Sequence, residues 1–406
     1  MTKINISKRG RTAPSSPIRE LIPFAQKAKE KGIKIYHLNI GDPDFPIPDK
    51  IKEALIDKAK IINRMPYPGF RGQPELLNAW KKYYEDINVI YEIENEDMIV
   101  TAGASDAMSL ITTLVADAGD EVIVFEPFYA PYQIYAKYSG VKLVAVPLDS
   151  KNGYHLPTIS EISKKITNKT KAIFFTNPNN PTGTVFTRKE IETLILISKK
   201  HNLFLIGDET YRGMVFDGLE SLSLLHLAKK TDLDRIIIAD SLSKRLNVCG
   251  ARIGLILSKN RELMDSAFRF TQGRPYATYL EQEITAPMVG DSIQYVLWLS
   301  KQYQKRRDTF IKALQSQMSI DVQIPEGAFY LMLKLPITDT TKFAKWLLTD
   351  FSHKNETVMV SPASGFYATP GKGMDEIRIA YVINEKDLAH AAELLALAIK
   401  QYNDIT

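Results

Sequence analysis

The residues best equipped for chemistry lie in the run Ile236-Ile-Ile-Ala-Asp240-Ser241-Leu-Ser243-Lys244-Arg245-Leu-Asn-Val-Cys249-Gly250-Ala-Arg252-Ile-Gly254. It opens apolar and β-branched, the pattern of a strand buried on both faces. It then delivers two serines, a lysine and, further on, an arginine. Hydroxyls and a guanidinium at a strand's end suit a phosphate monoester, two of whose oxygens Arg252 can grip at once. A lysine held close to other cations and partly desolvated loses its proton near neutral pH and can attack a carbonyl to form a Schiff base. The same string also reads as a solvated basic pair, Lys244-Arg245, after a strand, so other segments have to decide.

Phosphate and aldehyde on one small molecule describe pyridoxal 5′-phosphate (PLP), and four further segments bear on it. Val100-Thr-Ala-Gly103-Ala104-Ser105-Asp-Ala107 reads as strand, small-residue turn and helix start. Backbone N–H groups there would bind a phosphate, with Ser105 adding a hydroxyl, although Ser105 reads equally as a plain N-cap. Phe174-Phe-Thr-Asn177-Pro-Asn179-Asn180-Pro181-Thr-Gly183 forces a rigid turn after a buried strand, and an amide on it can donate to a ligand oxygen. Leu203-Phe-Leu-Ile206-Gly207-Asp208-Glu209-Thr-Tyr211 ends a strand on a carboxylate. Asp208 either caps a helix or holds a pyridine nitrogen protonated, which makes the ring an electron sink. Tyr211 could donate to the ring's phenolic oxygen. Tyr129, in Glu126-Pro-Phe-Tyr129, offers a flat face for the ring or simply joins the core. In Glu376-Ile-Arg378-Ile-Ala-Tyr381, Arg378 projects from a strand's polar face, where a guanidinium fork can take an α-carboxylate.

Positioning these residues falls to an alternation of strand and helix. Strands are expected at 98–100, 122–125, 141–146, 172–175, 203–206, 236–239 and 253–257, with helices such as 105–118 and 188–201 between them. That order argues an α/β fold with a mostly parallel sheet covered on both faces, whose ligands sit beyond the strands' carboxyl ends. Before it come a helix at 18–31, a strand at 35–38, the Pro-stiffened loop Asn39 to Pro48 and a helix to about residue 60. Met65-Pro-Tyr67-Pro-Gly69-Phe-Arg71-Gly72 is a second breaker-rich loop, and Pro74 starts the next helix. After Lys259 come three helices, the last at 292–317, then strands at 328–333, 357–360 and 377–382 and helices at 342–350 and 385–402. We expect residues 1–60 to form an N-terminal arm and part of a small α+β domain, 61–290 the large domain, and 291–406 the rest of the small domain.

Composition narrows the class. The 406 residues are 45% hydrophobic and 24% charged, ordinary for a globular chain with ample core for two domains. A net charge of +5 without a dense basic run gives nucleic-acid binding little support. One cysteine excludes an internal disulfide and fits a reducing compartment. Six scattered histidines argue against a metal site. With no bilayer-length apolar segment and no signal-type h-region, the expectation is a soluble cytoplasmic protein whose residues 1–16 form a loose arm.

Assembled, these residues resemble the class I/II aminotransferases of the fold-type I PLP-dependent family, aspartate aminotransferase-like, from Gly41 to Arg378. Asn180-Pro-Thr-Gly, Asp208 with Tyr211, and Ser241-x-Ser243-Lys244 with Arg252 carry the likeness. The resemblance implies the three-layer PLP-dependent transferase fold and a catalytic group of Lys244, as Schiff-base lysine and proton-moving base, Asp208 at the pyridine nitrogen, and Tyr211. It implies Asn180 beside Tyr211 at the phenolic oxygen, Tyr129 on the ring, and Ala104, Ser105, Ser241, Ser243 and Arg252 at the phosphate. Arg378 would take the substrate α-carboxylate, flanked by Gly41 and Asn180. Tyr67 would reach the phosphate of a neighbouring subunit, implying a homodimer with shared sites. The implied reaction moves an amino group from an L-amino acid to a 2-oxo acid in two half-reactions. An eliminating lyase or a cyclase on the same scaffold is the alternative. A non-catalytic ligand sensor fits poorly beside Lys244, Asp208 and Arg378 together, and a NAD-binding sheet lacks its Gly-x-Gly-x-x-Gly turn. A second arginine for a distal carboxylate, which the resemblance implies often comes from the partner subunit in dicarboxylate-specific relatives, is not placed by motif; Arg274, in Gln272-Gly-Arg274-Pro-Tyr276, and Arg71 are the expected contributors to side-chain selection, with Arg64 a further candidate.

Overall fold

A computed structural model describes residues 4–13, 17–274 and 278–405. After β1 (Lys34–His37), seven strands build the main sheet: β2 (Met98–Thr101), β3 (Glu121–Glu126), β4 (Lys142–Pro147), β5 (Thr170–Thr176), β6 (Phe204–Asp208), β7 (Ile236–Ser241) and β8 (Gly254–Leu257). Their order is β2-β8-β7-β6-β5-β3-β4, and β8 alone runs against the rest. Strand β7 explains why these segments read as continuous apolar runs. Ile236 and Ile238 enter one core, while Ile237 and Ala239 enter another on the opposite face. The first core is closed by helices Pro74–Asp86 and Arg188–Lys200, the second by Ala104–Val115, Tyr132–Ser139 and Arg261–Gln272. The result is three layers, helix on sheet on helix.

A third core belongs to a smaller unit. There β9 (Tyr330–Lys334), β12 (Glu376–Ala380) and the short β11 (Ser361–Pro362) form an antiparallel sheet, and β1 pairs in parallel with β10 (Glu356–Met359). Leu21, Tyr36 and Leu38 share that core with residues from the C-terminal third. Helix Ser292–Gln317, 26 residues and so about 39 Å long, lies along the C-terminal helix Glu385–Ile405. Where it passes the Asn39–Pro48 loop, Arg306 pairs with Asp44 at 2.7 Å and lies over the Phe45 ring. No described helix is long and apolar enough to cross a membrane.

Two expectations need correction. The single helix over 18–31 is two helices, Pro17–Glu20 and Ile22–Glu30, because Pro23 has no N–H to donate back to the preceding turn. The loose arm contains a helical turn, Lys8–Arg11, whose Arg9 Nη1 donates to the Tyr138 carbonyl at 2.8 Å. The remaining arm residues 1–3 and 14–16 lie outside the described residues.

One ion cluster ties the large sheet's helical layer to the approach of β9. His155 stands between Glu190 at 3.0 Å and Glu326 at 3.5 Å. Hydrogen bonds to Glu190 and Glu326 outweigh burial and raise its pKa to about 10. The unfolded imidazole titrates near about 6.5, so this stabilisation is complete below that pH and is lost as pH climbs through the folded value. The thermal-stability gap between wild type and His155→Gln should therefore shrink from about pH 6 to about pH 10. A gap that is constant across that range would show that His155 carries no charge in the fold.

Candidate active site

The site grows from the carboxyl end of the main sheet. Beyond β2, Gly103 adopts φ +88° and starts helix Ala104–Val115 without any capping side chain. Ser105 is therefore not the N-cap; it lies inside the first turn and lines a cavity with Ala104. The antiparallel β8 begins where its neighbours end, with Gly254 opposite both Thr101 and Ser241. This brings Arg252, just before β8, to the same cavity. Its Nη2 donates to the Ala102 carbonyl at 3.0 Å, and its Nη1 reaches the Cys249 carbonyl at 2.9 Å and Ser243 Oγ at 3.4 Å. A Cβ on Gly103 would collide with that guanidinium, and one on Gly254 with the Gly103 backbone. Ser241 Oγ lies 3.0 Å from Ser243 Oγ. Hydroxyls, a guanidinium and the N-terminus of a three-turn helix thus converge on one small volume, a donor set made for a phosphate.

Asp208 ends β6 on the cavity floor, 4% exposed. Burial raises its pKa, opposed by hydrogen bonds from the Thr210 hydroxyl (2.6 Å) and from Tyr132 Oη (2.9 Å). A carboxylate desolvated this way is stabilised by a cation brought against it, and a pyridinium nitrogen is one. Asn180 Nδ2 lies 3.4 Å from Tyr211 Oη, which is 3.0 Å from Tyr330 Oη. Tyr129 lines the cavity between Ser105 and the floor residues. Lys244 sits in the short helical turn Leu242–Arg245, its Nζ donating to the Gly41 carbonyl at 2.5 Å and lying 3.1 Å from Cys249 Sγ. The expected low-pKa lysine is corrected here. Burial lowers its pKa, but Tyr330, Cys249 and Tyr129 raise it further, and the net direction is up. The amine is therefore a cation in the absence of a carbonyl partner, its neighbours being polar groups and not the cations expected. The solvated-pair alternative also fails, since Arg245 is 1% exposed.

A second cavity of about 890 Å³ opens from the same residues toward the small unit. Arg378 on β12 faces it, buried, over the Tyr330 and Phe366 rings at 4.5 and 4.9 Å. Its Nη1 donates to Asn180 Oδ1 (3.1 Å) and its Nη2 to the Asn39 carbonyl (2.7 Å), while its buried Nε has no partner. Gly41 packs so tightly under Tyr330 that any Cβ would strike the phenol oxygen. Among the described lining residues, the charged side chains are Arg19, Lys244 and Arg378, and none is acidic.

The profile of the family described as aminotransferase class I and II matches residues 33–395. The chain belongs to that family. It is a PLP-dependent aminotransferase, and the residues lining the smaller cavity fit that cofactor: a phosphate cradle at one end, a desolvated carboxylate on the floor and a lysine between. An aspartate aminotransferase of Pyrococcus horikoshii is 30% identical over 402 residues, covering 98% of both chains. An LL-diaminopimelate aminotransferase of Oleidesulfovibrio alaskensis is 29% identical, covering 98% of this chain and all of that one. Among solved structures, an alanine aminotransferase of Pyrococcus furiosus superposes with a TM-score of 0.88 at 30% identity, over 98% of this chain and 100% of that chain.

Of the expected site residues, Ala104, Ser105, Tyr129, Asn180, Asp208, Tyr211, Ser241, Ser243, Lys244 and Arg252 line one cavity, and Gly41 and Arg378 line the adjoining one. Tyr67 stands apart, 89% exposed in a surface groove with Tyr279. The arginines expected to contribute to side-chain selection do not line either cavity of this chain. Arg71 bonds the Glu96 carbonyl and lies over Phe268, Arg274 pairs with Asp106, and Arg64 is exposed on the surface. Pro275 and Tyr276 lie outside the described residues. Sequence reading missed Tyr132, Tyr330, Cys249 and Arg19. Tyr132 hydrogen-bonds to Asp208 and Tyr330 to Tyr211, but nothing in a linear string says that they face those residues.

Gly103→Ala should weaken PLP retention by roughly tenfold or more, since its backbone region is nearly glycine-only and the added carbon meets Arg252. Equilibrium dialysis measures it. Unchanged retention in a folded variant would mean that this turn does not hold the phosphate.

Proposed function

We propose that the two adjoining cavities form one active site in which an amino group passes between an L-amino acid and a 2-oxo acid. The observation that carries this reading is the convergence of Lys244, Asp208, Arg252 and Asn180 on one cavity that continues to Arg378. When bound, PLP supplies the electron sink for charge developing at the substrate Cα. Ala104, Ser105, Ser241, Ser243 and Arg252 hold its phosphate, Asp208 keeps its ring nitrogen charged, Asn180 and Tyr211 donate to its phenolic oxygen, and Tyr129 covers its face. Arg378 grips the α-carboxylate through the free Nε and its forked nitrogens, beside Asn180 and the Gly41 backbone. That grip would point the Cα–H toward Lys244, whose amine, once free, would take the proton from Cα and deliver it to C4′, the cofactor carbon on the far side of the amino nitrogen. Tyr330, 3.0 Å from Tyr211, keeps the phenol pair ordered and helps exclude water.

The finer reading adds substrate, assembly and compartment. Acidic substrates are favoured by three cations facing the larger cavity with no acid among the described lining residues, and relatives include aspartate aminotransferases. Arg19, which makes no ion pair or hydrogen bond among the described residues, is the distal-carboxylate partner in place of Arg71 or Arg274. Exposed Ile61, Met65, Tyr67 and Phe70 in one stretch support a homodimer in which Tyr67 serves the neighbouring site. A cytoplasmic location rests on the lone cysteine. The same reading takes 1–60, 61–290 and 291–406 as the domain limits.

Amino acid alone should convert bound PLP stoichiometrically to its amine form, and 2-oxoglutarate should reverse it; continuous turnover without an acceptor would mean elimination instead. In Lys244→Ala, borohydride should fix no cofactor to the peptide that contains position 244. Arg19→Met should lower the glutamate half-reaction rate constant kmax/Kd by about tenfold, the worth of a charge-assisted hydrogen bond, and leave alanine within about twofold. Equal losses for both amino acids would remove Arg19 from recognition.

A further inference from the structure

Behind the cavity floor lies a buried quartet of two arginines and two acids. Asp240, 0% exposed, accepts from Arg245 Nη2 at 2.8 and 2.7 Å, from Arg212 Nη2 at 3.3 Å, from Tyr84 Oη at 3.2 Å and from the Ser241 N–H at 2.6 Å. Glu209 accepts from Arg212 Nε at 2.7 Å, Ser223 Oγ at 2.8 Å and the Leu224 N–H at 2.9 Å. The Tyr83 ring lies between the two guanidiniums, 4.2 Å from that of Arg245 and 4.9 Å from that of Arg212, and Trp80 covers Arg245 at 5.0 Å. Each member adjoins a residue of the active site in the chain: Glu209 follows Asp208, Arg212 follows Tyr211, Asp240 precedes Ser241, and Arg245 follows Lys244. Strands β6 and β7 set Asp208 opposite Ala239, so Asp240 stands one residue from the floor carboxylate.

The balance of charge decides what the quartet does. Water does not reach these groups, so an uncompensated charge would act on its neighbours almost unscreened. Asp208 faces Tyr132 and Thr210 by hydrogen bond, with Tyr129, Tyr135 and Tyr211 around it, and these are neutral near pH 7. Asp240 is the acid that acts on it from behind, raising its affinity for a proton. Two cations cancel two anions here only while Arg245 and Arg212 both stay in place.

We propose that Arg245, with Arg212, is a positioning residue that neutralises Asp240 and so sets the electrostatic potential that Asp208 and Lys244 present to the cofactor. This rests on the PLP-site reading above. Arg245 touches neither substrate nor cofactor; it acts through Asp240. Losing its charge leaves a net anion behind the site, which favours the protonated form of any titrating group in front of it.

The test is a pH titration of the visible absorbance of PLP bound to the purified protein. Arg245→Met should move the midpoint upward by about half a pH unit or more. Arg245→Lys, which keeps the charge, should leave it near the wild-type value. Arg245→Met combined with Asp240→Asn, which restores neutrality, should bring it back. If Arg245→Met does not fold, Arg212→Met removes the other cation from the same carboxylate and should give the same upward shift. A midpoint unmoved by the charge-removing variants, or moved equally by Arg245→Lys, overturns the proposal while leaving the PLP site intact. Wild-type protein that shows no PLP absorbance at all would instead overturn the site reading on which it stands.

Discussion

Everything at this site depends on keeping one carboxylate charged where water does not reach it. Asp208 is buried at the end of β6, and its burial favours the neutral acid. A group in that position is held ionised only by donors and by a cation in contact with it. Thr210 and Tyr132 supply the donors, one from the turn after β6 and the other from the helix after β3. In the proposed site, the ring nitrogen of the cofactor would supply the cation. The same desolvation that makes Asp208 costly when alone would make it a strong partner for that ring.

The sheet's single antiparallel strand solves a positional problem. In a wholly parallel sheet only strand exits face the ligand edge. Because β8 runs the other way, its entrance lies there too, and Arg252 meets the exits of β2 and β7. Gly103 and Gly254 let the Arg252 guanidinium and the Gly103–Ala104 backbone approach closely where a side chain would collide. The smaller unit contributes the complement. Its β12 carries Arg378 into an aromatic, buried setting in which burial lowers the guanidinium's pKa without removing its charge. The buried Arg378 Nε has no partner, the observation behind the carboxylate role proposed for it.

Much of the fold was legible because both faces of the main strands are buried. The run at 236–239 is apolar at every position for that reason, and all seven expected strands are present within a few residues of their expected limits. The apolar spacing over 18–31 runs through Pro23, whose missing N–H nonetheless breaks that stretch into two helices. Chemistry at strand ends was legible too, most clearly in the Asn177-Pro-Asn179-Asn180-Pro181 turn, a string that makes little sense as chance surface, whereas Lys244 stood in one that also reads as a solvated pair. Arg245 shows the limit: as a letter beside Lys244 it reads as solvent-facing, and only tertiary packing reveals Asp240, Arg212, Trp80 and Tyr83 around it.

Sequence by itself therefore determined which backbone segments become strands and which side chains their exits carry, because burial and turn chemistry act locally along the chain. The three-dimensional fold alone decided which of those exits face one another. It drew Arg71 and Arg274 to Glu96 and Asp106, brought Arg19 to the cavity wall, and left the Lys244 amine more basic than an isolated lysine. Coulomb and hydrogen-bond energies depend on distance through space, and residues 19 and 378 acquire a common neighbourhood only once two separate cores have closed around it.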